Sequence, residues 1–392
     1  MKKPFNHASR LLAGCLLLLA PVLSSAAEKN EQTDGPQTDS PVASTTAWPL
    51  FRGDTHGSGV ARSELPERLQ VVWKHRVPKG AFEATAVIDH GTVYLGDLDG
   101  TFFAIRLSDG HVKWKFTGEA GFASAAAVRD GLVYIGDIDG QFVCLDAKTG
   151  GRRWAFEAQA EINGGPNFHQ GHVLFGSQDA TLYCLDAKTG DVVWKHPIDD
   201  QIRCAPTIVE DRAFLAGCDG KLHIIDVTKN QSLGIVPINA PTGCTPAVLG
   251  QHVYFGTEGA EFLCINWRDQ RVVWRFHAQK SSHSFRSSAA VTPGAVVFGG
   301  RDKRLHAVKP DTGQPLWSFP TRGSIDSSPV IVGRWVFVGS ADGRLYAVDL
   351  ETGTELWQYD AGGRFTASPA VAAGRLVIGN EDGTLYCFGG QR

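Results

Sequence analysis

The sequence repeats with a period of about 40 residues, and this repeat constrains the fold more than any other feature. One copy, from Gly136 to Trp154, reads GDIDGQFVCLDAKTGGRRW. It contains a tight Asp139-Gly140 turn, a short apolar run, a second turn and a tryptophan. The runs are too short for helices and long enough for strands, so each copy predicts antiparallel strands joined by hairpins. The opening glycine recurs at Gly96, Gly136, Gly176, Gly217, Gly256, Gly299, Gly339 and Gly379.

A repeat of this length with four strands per copy is typical of a β-propeller. In the second copy the pattern predicts an innermost strand from about Ala123 to Arg129, then Leu132 to Gly136, then Gln141 to Asp146, and an outer strand that carries Trp154. The chain has 45 glycines and one methionine, which favours turns over helices. The predicted fold is all-β, an eight-bladed propeller of four-stranded blades.

The two ends of the repeat array complement each other. The last copy stops near Gly390 without an outer strand, whereas Trp73 precedes the first full copy. We therefore expect Leu69 to Val77 to supply the fourth strand of the last blade, which removes the exposed sheet edge of an open array. This predicts a closed, monomeric propeller over residues 69–390.

A second motif, small-x-Asp-x-x-Thr-Gly-x-x-x-Trp, links the third and outer strands of most copies. The Asp and Thr side chains suit a turn, the glycine permits it, and the tryptophan is predicted to bury its ring between blades. In the fourth copy Gly234 replaces the tryptophan. The predicted docking tryptophans are Trp73, Trp114, Trp154, Trp194, Trp274, Trp317 and Trp357.

This motif resembles the tryptophan-docking motif of the pyrroloquinoline-quinone-like (PQQ-like) β-propeller repeat superfamily, over about residues 71–390. The resemblance implies either of two functions. Some members are quinone-dependent alcohol or sugar dehydrogenases, and others, such as the outer-membrane assembly factor BamB, are non-catalytic protein-binding propellers. The segment WPLFRGD, residues 48–54, is similar to the lead-in of exported members, so residues 48–68 are expected to pack on the propeller as a lid or belt.

The N-terminus has the layout of a secretory signal peptide over residues 1–27. A basic start precedes an apolar run from Leu11 to Leu23, and small residues end at Ala27. The apolar run is shorter than the roughly 20 residues that a membrane-spanning helix needs. Residues 28–47 are rich in Pro, Ser, Thr and Asp, which predicts a flexible linker. The mature protein is therefore predicted to be periplasmic or secreted, with no transmembrane segment.

Leu12-Ala13-Gly14-Cys15 also matches the lipobox of bacterial lipoproteins. Cleavage before Cys15 would leave the apolar residues Leu16 to Leu23 attached to the mature chain, which favours the ordinary signal peptide over lipidation. Export also permits disulfides, and Cys204 and Cys244 occupy equivalent positions in adjacent copies. A bridge between them stays an open alternative, since neighbouring inner strands diverge.

The resemblance implies that a quinoprotein would carry adjacent cysteines, a bound Ca²⁺ and a catalytic Asp on long insertions. This chain has no Cys-Cys pair and its copies are nearly uniform in length. Acidic turns such as Asp137-x-Asp139 supply one or two carboxylates each, fewer than a calcium loop needs. No zinc-ligand spacing occurs, and a net charge of −3 gives no general affinity for nucleic acid. We predict no cofactor, metal or catalytic residue; the alternative is a small oxidoreductase that uses PQQ and Ca²⁺.

One position differs from copy to copy, in the segment that leads into each innermost strand. An apolar residue comes first, then a variable one, then two small residues. Residues that every blade needs for packing should repeat, whereas residues that meet one ligand need not. The variable residues are Glu83, Ala123, Asn163, Arg203, Gly243, Arg286, Asp326 and Thr366.

These segments should lie on one face, around the central channel. The sequence therefore predicts a polar ring at the funnel mouth, with further charged residues nearby, that engages an envelope or secreted protein partner. The alternative is a water-filled channel without a ligand. The predicted ring comprises Glu83, Asn163, Arg203, Arg286 and Asp326, with His283, Arg322 and Arg364 nearby.

Overall fold

The computed structural model describes residues 45–278 and 281–390. The predicted signal peptide, Cys15 and residues 28–44 of the predicted linker lie outside the described residues. Within the described ranges the secondary structure consists of strands and turns, without a helix that could span a membrane. Two strands precede the first blade, β1 (Val60–Ala61) and β2 (Gln70–Arg76).

The remaining strands form eight sheets in chain order, each with its shortest strand at the channel. Blades one and two are β3 (Val87–Asp89), β4 (Thr92–Gly96), β5 (Thr101–Arg106), β6 (Val112–Thr117) and β7 (Ala127–Arg129), β8 (Leu132–Gly136), β9 (Gln141–Asp146), β10 (Arg152–Glu157). Blades three and four are β11 (Asn167–His169), β12 (His172–Ser177), β13 (Thr181–Asp186), β14 (Val192–Pro197) and β15 (Thr207–Val209), β16 (Arg212–Ala216), β17 (Lys221–Asp226), β18 (Gln231–Pro237).

The second half of the ring repeats the same arrangement. Blades five and six are β19 (Ala247–Leu249), β20 (His252–Gly256), β21 (Phe262–Asn266), β22 (Arg271–Phe276) and β23 (Ala290–Val291), β24 (Val296–Gly300), β25 (Arg304–Val308), β26 (Pro315–Pro320). Blades seven and eight are β27 (Val330–Val332), β28 (Trp335–Gly339), β29 (Arg344–Asp349), β30 (Glu355–Asp360) and β31 (Ala370–Ala372), β32 (Arg375–Gly379), β33 (Thr384–Gly389), completed by β2.

The ring closes as the sequence predicted. Strand β2 pairs antiparallel with β33, with Trp73 opposite Cys387, so the N-terminal strand is the fourth strand of blade eight. The all-β, eight-bladed fold with four-stranded blades is confirmed. Strand β1 adds a fifth strand to blade seven by pairing in parallel with β27, which the sequence did not predict.

The innermost strands are shorter than predicted. In blade two the second and third strands have the predicted limits, but the innermost one begins at Ala127 rather than near Ala123. In several copies a proline stands directly before the strand, as Pro206 does in blade four. Because proline has no N–H, it cannot contribute to the ladder in these copies. The innermost strands of blades one and two begin at the equivalent position after Ala86 and Ala126, so proline is not the reason there.

The docking tryptophans join each blade to the next. Trp114 donates its indole N–H to the carbonyl of Ala147 in blade two at 3.0 Å. Its ring lies over Gly150, where an added Cβ would come within 2.6 Å of the ring. In the fourth copy Gly234 stands where the other copies have a tryptophan. The side chain of Gln270 lies against Gly234 and donates to the carbonyl of Leu233 at 2.9 Å. Repeated around the ring, these contacts fix the blades around a common channel.

Candidate functional site: the mouth of the central channel

All eight variable residues line one cavity at the centre of the ring. The cavity has a volume of about 160 Å³ and opens on the face where the segments lead into the innermost strands. The residues two positions further along each segment line it at a second level. The lining residues are Phe51, Glu83, Thr85, Ala123, Ala125, Asn163, Gly164, Gly165, Arg203, Ala205, Gly243, Thr245, Arg286, Ser288, Asp326, Ser328, Thr366 and Ser368.

The five predicted ring residues are brought together here, whereas the three flanking ones are not part of the cavity wall. His283, Arg322 and Arg364 are exposed on the loops around it. The guanidinium of Arg364 lies 3.6 Å from the carboxylate of Glu381. Whether any of these residues binds a partner stays a prediction.

Two charged ring residues are paired with neighbours from the turns between second and third strands. Asp326 accepts two hydrogen bonds from the guanidinium of Arg301, at 2.8 and 2.7 Å. Arg286 lies 2.7 Å from the carboxylate of Glu258. These partners were missed at the sequence level, because a turn residue reaches the ring only once the blades are assembled.

Arg203 is held differently. Its guanidinium donates to the side-chain oxygen of Gln201 at 3.1 and 2.6 Å, and no carboxylate in the described part of the chain forms an ion pair with it. Gly243 on the next blade has no side chain, and Arg203 lies against it. Between Arg203 and Arg286 the mouth therefore widens into a depression of about 450 Å³, which Cys218 and Glu258 also line.

Glu83 and Asn163 complete the ring. Partial burial raises the pKa of Glu83 above its ordinary value, and the nearby Glu381 raises it further, against the attraction of Arg364. Asn163 accepts a hydrogen bond from the side-chain amide of Gln178 at 3.1 Å. The mouth thus presents charges of both signs, with Arg203 and Glu83 outside the ion pairs of the ring.

The lead-in closes the other end of the channel. Phe51 forms part of the cavity wall, so the cavity is a well with a floor rather than an open pore. The backbone of residues 45–59 accepts hydrogen bonds from the inner part of every blade. The bonds are Ile88 N to Trp48 O, Val128 N to Pro49 O, Asn167 Nδ2 and Ile208 N to Thr55 O, Val248 N to His56 O, Val291 N to Ser58 O, Ile331 N to Gly59 O, and Ala373 N to Thr45 O.

The acidic turns serve the backbone. Asp137 accepts from the amides of Asp139 and Gln141 at 3.0 and 2.8 Å, as expected for a hairpin turn. Burial raises its pKa, and these hydrogen bonds act in the opposite direction. No group of three or more His, Cys, Asp or Glu side chains within residues 45–278 and 281–390 is placed to hold a metal ion.

The cysteines of the described part are free thiols. Cys204 donates to the carbonyl of Ala216 at 3.3 Å and Cys244 to that of Phe285 at 3.1 Å, so the two point to different partners. Burial raises the pKa of both thiols to about 12. Cys218 is the partly exposed one, and it lies at the mouth.

Eight four-stranded blades in a closed ring, with tryptophans docked on the turns of neighbouring blades, define a PQQ-like β-propeller. The family model described as outer membrane protein assembly factor BamB matches residues 70–164, 143–233, 235–324 and 301–390. The chain belongs to this family. No curated protein matched the sequence.

Solved structures from both functional branches share the fold. BamB from Moraxella catarrhalis is 18% identical, with a TM-score of 0.72, over 82% of this chain and 100% of that one. Quinohemoprotein alcohol dehydrogenase from Comamonas testosteroni is 15% identical, with a TM-score of 0.77, over 91% and 83% of the two chains. At these identities the likeness shows the fold alone and leaves the function open between the two branches.

Proposed function

We propose that this protein is an exported, non-catalytic binding or scaffolding propeller that engages a protein partner of the cell envelope through the channel mouth. One observation carries the proposal. The position that differs among the eight repeats is the position that lines one cavity, while the packing positions repeat. A surface of mixed charge, with an arginine, Arg203, that forms no ion pair within the described residues, suits a specific protein interface in which charge complementarity selects the partner.

The family supports the same proposal. The matching family model is described as an outer membrane protein assembly factor, and the N-terminal sequence has the layout of a signal peptide. Both observations support the proposal that the protein acts in the periplasm or outside the cell. Aromatic residues and arginines contribute most to protein interfaces, so Arg203 and Arg286 are the side chains we expect to contribute most.

The second branch of the fold family requires a quinone and its metal, and the residues present here do not fit that group. The well of about 160 Å³ is smaller than the roughly 300–1,000 Å³ of ordinary ligand pockets. The larger depression has one carboxylate, Glu258, and that carboxylate is paired with Arg286. Incubation with PQQ and Ca²⁺ tests this directly: we expect no cofactor absorbance and no dye-linked alcohol or sugar oxidation.

The proposed interface is tested by affinity capture from envelope extract. The Arg203→Ala, Arg286→Ala double variant should lose most of a partner that the unchanged protein retains. A matched control is Arg152→Ala with Arg271→Ala, which removes two exposed arginines from the start of outer strands β10 and β22, at the end opposite the mouth. Equal recovery of the partner by both double variants would show that the interface lies elsewhere on the protein. If the unchanged protein captured no specific partner, the proposed scaffolding function would be contradicted.

A further inference from the structure

Five hydroxyl groups form an arc at the second level of the well. Each accepts the backbone N–H of the equivalent residue on the preceding blade, at 2.9 to 3.1 Å. In the part of the chain that the structure describes, none of the five has an acceptor for its own hydrogen. The arc consists of Thr245, Ser288, Ser328, Ser368 and Thr85.

These hydroxyl groups belong to residues that are 4 to 6% exposed, and all of them line the well. Thr366, one level above, has a buried hydroxyl without any hydrogen-bond partner in the described residues. The remaining blades present Ala125, Gly165 and Ala205 at the level of the arc, beside Phe51. One side of the well therefore offers O–H donors, and the other side is apolar.

A positive charge lies beside the arc. The side chain of Arg52 is 1% exposed, and its Nη2 donates to the carbonyl of Ala289 at 3.0 Å and to that of Pro329. These two residues directly follow Ser288 and Ser328 of the arc. No carboxylate of the described residues forms an ion pair with this guanidinium. Burial lowers the pKa of Arg52 to about 9, against the attraction of the more distant Asp54.

A buried guanidinium without a counter-ion is costly, and a ligand that supplies the opposite charge offsets that cost. We propose that the well binds a small monovalent anion, held by the O–H donors of the arc, with Arg52 supplying the balancing charge. A cation is disfavoured because the buried guanidinium of Arg52 repels it and because one lone pair of each hydroxyl oxygen already accepts a backbone N–H. About 160 Å³ admits a halide with a few waters, each of which occupies roughly 30 Å³, and excludes an anion as large as gluconate.

The test uses the mature, full-length protein and bromide as the probe. At constant ionic strength, replacing sodium gluconate with sodium bromide should raise Tm saturably, by about 2 °C or more. Anomalous diffraction from a bromide-soaked crystal should give a peak in the well. The Ser288→Ala, Ser328→Ala double variant should lose the bromide-dependent shift, as should Arg52→Gln.

The matched control is Ser287→Ala with Ser327→Ala. These adjacent hydroxyl groups bond to the backbone within the wall and do not line the well. The control should melt at a lower temperature yet keep the bromide-dependent shift. An equal shift in both double variants, or a crystal without an anomalous peak in the well, would overturn the anion site. Neither result bears on partner capture, so the two proposals fail separately.

Discussion

A tryptophan that stands over a glycine of the next blade is a contact that recurs five times around the ring. Gly150 has a φ of +75°, and its missing side chain leaves the space that the Trp114 ring occupies. Two demands therefore meet at one residue: a left-handed backbone and room for a ring. This explains why the same residue types return at the same spacing, and why that spacing reports on packing rather than on chemistry.

Gly150→Ala should lower the free energy of unfolding by more than Gly131→Ala. Both glycines have a φ of +75°, but an added Cβ at Gly131 meets nothing within 4 Å. The backbone strain of about 1 kcal/mol is common to both, and overpacking against Trp114 adds about 1–3 kcal/mol. Denaturant titration of the two variants measures the difference. Equal losses would show that the tryptophan dock contributes little.

Acid should weaken the turn of blade seven through Asp349. Hydrogen bonds from Arg334, and then from Thr352, lower the pKa of this carboxyl from 3.8 to about 2. A carboxyl whose pKa is lower in the folded state stabilises the fold above pH 4, and this contribution is lost as the pH falls towards 2. The difference in unfolding free energy between the unchanged protein and Asp349→Asn should therefore shrink from pH 5 to pH 2. A difference that stays constant would contradict this assignment.

At the scale of elements, the strand pattern was predictable because each strand and turn is encoded within one copy. The limits of the innermost strands were not predictable in the same way. In several blades the residues before these strands are prolines, or their backbone N–H groups bond to a hydroxyl group of the next blade instead of joining the ladder. The backbone N–H of Thr245, for example, donates to the Ser288 hydroxyl. The lead-in was expected to be a lid or belt. That it bonds to every blade depends on the curvature of the assembled ring, which no single copy contains.

Removal of residues 45–61 should lower Tm while leaving the blades folded. The deletion removes strand β1 and the hydrogen bonds that this segment makes with each blade, and it also uncovers the buried surface that Trp48 and Leu50 occupy. At about 1 kcal/mol per bond the loss should reach about 5 kcal/mol or more. Calorimetry, with a control that lacks only residues 28–44, measures this. An unchanged Tm would show that the lead-in does not stabilise the ring.

At the scale of the molecule, the ring makes one end of the channel different from the other. The lead-in closes one end, and the variable residues surround the opening at the other. Comparison of the repeats predicted which residues would meet at the mouth. It did not predict the pairing of Asp326 with Arg301. It also did not predict the arc of hydroxyl groups beneath the mouth, because the arc is formed by the small residues two positions further along each segment.

Site-specific photocrosslinking in living cells tests the proposed interface most directly. A benzophenone amino acid at Asn163, at the mouth of blade three, is compared with the same group at His172, in the hairpin at the opposite end of that blade. We expect one defined protein adduct from Asn163, lost on Arg203→Ala with Arg286→Ala, and no such adduct from His172. The same adduct from both positions, or an adduct from His172 alone, would contradict the assignment of function to the mouth.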